Sequence, residues 1–147
     1  MYKHILVPTD GSKLSLQAAK QALQLAKSVG AKITAFYAVP DYASAHYGEG
    51  HMVRWPTHEA QEELVQKLAL KYLSEIEVEA EVEKVPCDIY HTMSASPYEA
   101  IIDAAKKKRC DLIVMASHGR RGIAALVLGS ETHKVLVHSK IPVLVCR

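Results

Sequence analysis

The chain has no apolar run approaching the roughly eighteen residues of a membrane-spanning helix, no cysteines at a metal-binding or redox spacing, and no surplus of one charge. Each absence removes a class of function. The N-terminal apolar segment, Ile5 to Val7, is far too short for a signal peptide, so the chain is expected to be soluble and cytoplasmic, with no membrane partner. Cys87, Cys110 and Cys146 read as small core or edge residues in a reducing compartment. A net charge of +2 with 23% charged residues leaves no basic track for nucleic acid. The longest basic run, Lys106-Lys-Lys-Arg109, suits a solvated helix C-terminus, where cations complement the helix dipole.

Catalytic signatures are missing as well. Neither the nucleophile elbow Gly-x-Ser-x-Gly nor the phosphate loop Gly-x4-Gly-Lys-Ser/Thr occurs, and Ser117-His118 are merely adjacent in sequence, which says nothing of a nucleophile and its base. Of the eight histidines, His46, His51 and His58 group together, but their spacing matches no standard metal motif and no cysteine or carboxylate cluster accompanies them. No metal ligand and no catalytic residue is assigned, and the chain is not expected to be an enzyme.

What the sequence does have is alternation. At 147 residues it fits one domain, spanning 1–147. Ile5 to Val7 reads as a first strand, broken by Pro8-Thr-Asp-Gly-Ser12, which supplies cap residues for a helix. Leu16, Ala19, Leu23, Ala26 and Val29 then recur at helical spacing until Gly30. Lys32 to Val39 predicts a second strand, Asp41 to Thr57 a loop or partly ordered lid, and Glu59 to Glu83 a long helix. That helix is expected to bury Leu64, Leu68, Tyr72, Ile76 and Ala80. Cys87 to Met93 is strand-like, although Asp88 and His91 sit badly in a fully buried strand. A helix from Ser94 to Lys107, a strand from Asp111 to Ala116, a helix from Ser130 to His138 and a strand from Val143 to Cys146 complete the pattern. Such alternation requires right-handed crossovers and gives an α/β fold, a doubly wound five-stranded parallel sheet with helices on both faces.

The stretch most telling of function runs from Asp111 through Leu-Ile-Val-Met-Ala-Ser-His to Gly119, then on to Gly129-Ser130. It joins a buried strand to a glycine-bounded loop and a helix start, and ligands of open α/β sheets bind just beyond the carboxyl ends of such strands. Gly129 lets phosphate oxygens approach the main chain, Ser130 is expected to cap the following helix while offering its hydroxyl to the same anion, and the helix N-terminus supplies N–H donors.

Gly119 and Gly129-Ser130, with nine residues between them, the opening Ile5-Leu-Val-Pro-Thr-Asp-Gly-Ser12 and the closing Ile141-Pro-Val-Leu-Val145 together resemble the universal stress protein family over essentially the whole chain. Nucleotide-binding members carry Gly-x2-Gly-x9-Gly-Ser/Thr. This sequence matches except at the first glycine, where it has Ala116. The resemblance implies a Rossmann-like sheet of the adenine nucleotide alpha hydrolase type, with strand order 3-2-1-4-5, which brings Asp10 and Gly119 to one crevice. It implies ATP as ligand, with Mg2+ as an optional companion, in a site formed by Pro8, Thr9, Asp10, Val39, Met115, Ala116, His118, Gly119, Arg120, Gly122, Gly129, Ser130, Glu131 and Thr132. By the same token the adenosine lies near Asp10 and Val39.

Read from the residues alone, capping or turn formation is the better explanation of Asp10, a preference the resemblance reverses, and Arg120 and Arg121 are as well explained by exposure as by phosphate contact. Ala116→Gly is expected to strengthen nucleotide binding modestly. Any ATP turnover is expected to be slow, since no phosphate-clamping lysine is present. Two functions stand: a nucleotide-responsive regulatory dimer in stress response, or a family member that has lost the nucleotide and serves as a dimerisation or protein-interaction module. A phosphoacceptor receiver domain fails, because Asp10 lacks a paired acid and Lys140-Ile-Pro142 precedes the last strand. The apolar segment Val143, Leu144 and Val145 is expected at an open sheet edge, and relatives commonly pair this strand across a two-fold axis, so a homodimer is expected.

Overall fold

The structure is a computed structural model that describes residues 1–41, 57–120 and 128–147. Nine elements follow one another: β1 (His4–Pro8), α1 (Lys13–Val29), β2 (Lys32–Pro40), α2 (His58–Glu83), β3 (Cys87–Ser94), α3 (Pro97–Lys107), β4 (Leu112–Ala116), α4 (Ser130–His138) and β5 (Val143–Cys146). The strands form one sheet in the order β3-β2-β1-β4-β5, every pairing parallel. Ile5 lies beside Ile33 on one side and Leu112 on the other. The chain therefore steps from β1 outward to β3, then returns to the far side of β1. The crevice of an open sheet opens where that direction reverses. Most of the lid expected over Asp41–Thr57, with His46 and His51, lies outside the described residues, as do Arg121 and Gly122.

Because strand residues alternate faces, each central strand feeds two cores. Ile5, Val7, Ile33, Ala35, Val39 and Val114 pack against α1 and α2. Leu6, Phe36, Ile113 and Met115 pack against α3 and α4. Helix α1 begins with the Ser12 hydroxyl accepting from Ser15 N at 3.2 Å and ends at Gly30. It buries a stripe centred on Ala18, Ala22 and Ala26, with Leu16 and Val29 at its margins. β3 is an edge strand, which explains Asp88 and His91: the first is exposed, the second half-buried.

Two expectations need correction. Helix α3 starts at Pro97, three residues later than Ser94, because proline fits the first helical turn and Ser94 still belongs to β3. Along α2 the buried residues are Ala69, Leu73, Ile76 and Ala80, whereas Leu64 is 48% exposed and Leu68 and Tyr72 are half-buried. In the basic run, Lys106 and Lys107 do occupy the last turn of α3, and the Lys107 and Lys108 ammonium groups sit 5.3 and 4.5 Å from the centre of the Tyr90 ring. Burial pushes the Cys110 thiol up to about 12 and the Cys87 thiol up to about 11, so both are held as neutral thiols. No helix among the described residues is long and apolar enough to cross a membrane.

Candidate functional site

β1 and β4 are neighbours, and their carboxyl ends release two loops side by side. The loop after β1 is fixed from within. Thr9 N donates to Phe36 O at 2.8 Å, the Thr9 and Ser15 hydroxyls are 3.0 Å apart, and Gly11 N donates to Thr9 Oγ1 at 3.1 Å. Pro8 and Thr9 are buried, so they shape the crevice from beneath. This turn leaves Asp10 at the junction. Its Oδ1 accepts Ser12 N and its Oδ2 accepts Arg120 N, each at 2.9 Å. Asp10 thus ties the loop after β1 to the loop after β4. Burial pushes its carboxyl up, but the donors from Ser12, Arg120 and Ser15 together outweigh that and hold it below the usual carboxylate range.

The two matched glycines have identifiable tasks. A Cβ at Gly119 would overlap Asp10 Oδ2, so only glycine lets the carboxylate reach across to the next amide. A Cβ at Gly129 would stand 2.9 Å from His118 Cα and 3.2 Å from Ser117 O, and Gly129 N donates to that same carbonyl at 2.7 Å. Gly129 therefore closes the glycine-bounded loop on its own starting point.

Helix α4 begins there, and its first intrahelical bond runs from His133 N to Gly129 O at 2.9 Å. The N–H groups of Ser130, Glu131 and Thr132 come before that bond, the arrangement that suits an anion. The expectation for Ser130 is half right: it is the first helical residue and exposed, but the N-cap is Gly129 and no side chain makes the cap bond. A residue already in helical geometry cannot fold its hydroxyl back as an N-cap does.

Side chains assigned together to the site separate into two groups. Asp10, His118, Gly119, Arg120, Gly129 and Ser130 are at least partly accessible around the crevice, with Ser117 Oγ 3.3 Å from His118 Nδ1. Val39, Met115 and Ala116 are buried, Val39 and Ala116 in the core beneath α1 and α2, Met115 in the core beneath α3 and α4. The methyl at the position where the motif departs from glycine is thus a packing group. Thr132 is buried too, its hydroxyl donating to Ala116 O at 2.9 Å and stapling α4 to the end of β4. Glu131 is turned away from the crevice: Oε2 accepts Tyr98 N at 2.9 Å and Oε1 meets Lys134 Nζ at 3.1 Å. Its carboxylate thereby caps α3, whose own N-cap residue, Ser96, makes no side-chain cap bond. Any ligand contact from Glu131 falls to its backbone N–H.

Sequence reasoning missed Tyr72. Placed by periodicity in the helix core, it stands at the crevice wall, with its ring where a Gly11 side chain would be, edge-on to Tyr37 at 5.1 Å and its hydroxyl 2.8 Å from Arg120 Nη2. Its signal was the mismatch of a phenol on an otherwise aliphatic stripe. A separate hollow of about 340 Å³ runs along the flanks of α1 and α2, floored by Leu16, Ala19, Leu23 and Ile76 and rimmed by Lys13, Lys20, Glu75 and Glu79. Among the described residues no three His, Cys, Asp or Glu side chains assemble as a metal site requires.

Comparison with known proteins agrees with this architecture. Universal stress protein MJ0531 of Methanocaldococcus jannaschii is 35% identical over 149 aligned residues, covering all of this chain and 83% of the relative. The solved structure of the M. jannaschii protein MJ0577 superposes with a TM-score of 0.79 at 26% identity, covering 99% of this chain and 95% of that one. A universal stress protein solved in complex with cAMP gives 0.72 at 24% identity (99% and 97% covered). An Arabidopsis thaliana family protein solved with AMP bound gives 0.67 at 16% (97% and 90% covered). The family model described as "Universal stress protein family" matches residues 1–147, and this chain belongs to that family.

Proposed function

We propose that the crevice between the ends of β1 and β4 binds an adenine nucleotide, ATP foremost, and that the protein acts as a nucleotide-responsive regulatory dimer, not as a catalyst. The observation that carries this reading is the convergence of the Asp10 carboxylate, the bare Gly119 backbone and the N-terminus of α4 at the switch point of the sheet. Family relatives that hold cAMP and AMP support the ligand class. The phosphates lie against the N–H groups of Ser130, Glu131 and Thr132 with the Ser130 hydroxyl beside them, and the adenosine lies toward Asp10 and the end of β2 at Val39. Mg2+ enters, if at all, on the phosphate oxygens. Mass spectrometry of the nucleotide released from purified, denatured protein, followed by calorimetry with ATP, tests the assignment. An adenine nucleotide recovered and bound is the expected result, and no ATP binding at millimolar concentration rejects it.

Two observations favour the alternative, a nucleotide-free interaction module: both Asp10 oxygens already have partners within the protein, and Ala116 stands in place of the first motif glycine. If ATP binds to an Ala116→Gly variant but not to the parent, that alternative is correct.

The dimer rests on β5, which pairs with β4 on one side only and exposes Leu144 by 45%. An isologous contact sets Val143, Leu144 and Val145 of each copy against the same segment of the other. Leu144→Lys is expected to shift sedimentation toward monomers at micromolar concentration, and a monomeric parent rejects the interface.

A further inference from the structure

Arg120 is held at both ends. Its backbone N–H donates to Asp10 Oδ2, and its guanidinium reaches over to α2, where Nη2 donates to Tyr72 Oη at 2.8 Å and the central carbon lies 5.0 Å from the ring centre. Tyr72 itself is braced, its ring packed on Gly11 and set edge-on against Tyr37 at 83°. A chain of contacts therefore runs across the mouth of the crevice, from Asp10 after β1 through Arg120 after β4 to Tyr72 on α2.

We propose that Tyr72 and Arg120 form a clasp that a ligand's phosphate opens. Tyr72 is a positioning residue: it holds the Arg120 guanidinium on its phenol, and Arg120 transfers to the phosphate when one arrives. This rests on the nucleotide reading above for the place of the phosphate. The physical ground is that a guanidinium bonds an anionic oxygen in shorter, stronger, often bidentate fashion than it bonds a neutral hydroxyl, so the exchange favours the bound state. In the clasp the guanidinium leaves the Tyr72 ring to clamp the phosphate, so the two positions compete. The parked fraction consequently lowers apparent affinity in proportion, and loosening the clasp raises it.

The clasp makes Tyr72 a brake on binding, the opposite of what a ligand-contacting wall would do. Tyr72→Phe keeps the ring that packs on Gly11 and removes only the hydroxyl. Calorimetry is expected to show ATP bound about five-fold more tightly by this variant, the equivalent of one modest hydrogen bond. Adenosine, which has no phosphate, should bind Tyr72→Phe and parent alike. In an Arg120→Ala background the Tyr72→Phe gain should vanish, because the two residues act as a unit. Weaker or unchanged ATP binding by Tyr72→Phe, an equal gain for adenosine, or a gain that survives Arg120→Ala each overturns the clasp. Tripolyphosphate separates the two ideas: if it binds and tightens in Tyr72→Phe while ATP and adenosine show no preference over it, the clasp stands and the adenine reading falls. If neither ATP nor tripolyphosphate binds any variant, both fall.

Discussion

Two aspartates tie β1 to the β4 segment, one at each end of the sheet, and they do different work. At the amino end Asp111 accepts Lys3 N at 2.8 and 3.1 Å and His4 N at 3.0 Å. At the carboxyl end Asp10 accepts Ser12 N and Arg120 N. In both, burial raises the carboxyl and hydrogen-bond donors overcome it, backbone N–H groups at Asp111 and the Ser12 hydroxyl with backbone N–H groups at Asp10, leaving the group below its ordinary range. What differs is the polarity of the helices around them. At the amino end α1 and α2 terminate, their carbonyls facing out, and Lys3, Lys27, Lys32 and Lys84 gather round a hollow of about 400 Å³, with Lys27 paired to Glu83 at 2.8 Å. Lysines there are answered by the helix dipoles. At the carboxyl end α1 begins under its own Ser12 cap, whereas α4 begins without a side-chain cap, and its first N–H groups suit an anion. The same carboxylate tie is thus a staple between strands at one end and part of the proposed binding crevice at the other.

Mutation can break this contrast. The largest effect is expected from Gly129→Val, whose side chain meets the His118 backbone: overpacking there costs about 1–3 kcal/mol of stability and removes nucleotide binding as well, read by calorimetric melting and titration. Asp111→Ala and Asp10→Ala should then split. Asp111→Ala strands the Lys3 and His4 N–H groups and is expected to cost about 1–2 kcal/mol in urea unfolding with ATP affinity intact. Asp10→Ala should lose ATP affinity first. Equal behaviour of the two variants in both assays would erase the distinction.

Acid gives a smaller, graded test. Both carboxylates have depressed values in the folded protein, so their stabilisation is full above the ordinary carboxylate value of 3.8 and is lost as pH falls through the lower folded values. His4 acts earlier. Burial and the neighbouring Lys32 lower its value below 6.5, while its Nε2 sits 2.7 Å from the Thr34 hydroxyl. The unfolded chain takes up that proton more readily, so stability declines as pH drops below 6.5. The urea midpoint of His4→Gln should be flatter than that of the parent from pH 6.5 down to the carboxylate range, and an unchanged slope would acquit His4.

The fold was legible because strand runs such as Leu112 to Ala116 and the alanine-rich stripe of α1 announce their periods locally. The buried face of α2 was not. A strict four-residue spacing drifts by about 40° a step on a helix of 3.6 residues per turn, so five such positions cannot share one face. The true stripe, Ala69-Leu73-Ile76-Ala80, mixes steps of four and three, and apolar residues outside it, Leu70, Val78 and Val82, blur the choice. At the site, Asp10, Gly119 and Gly129 were readable because their tasks are backbone tasks tied to the motif. The side chains of Thr132 and Glu131 staple β4 and cap α3, tasks that the motif does not announce. Tyr72 lies 48 residues from Arg120, and no local pattern joins them. Contacts made between elements leave no trace in the period of either.

The borrowed cap on α3 has a consequence for motion. Since the carboxylate that holds Tyr98 N–H grows from the first turn of α4, the start of α3 loses this bond whenever that turn frays. Whatever steadies the first turn of α4, a bound anion included, is expected to slow deuterium uptake at the Tyr98 amide in the first turn of α3.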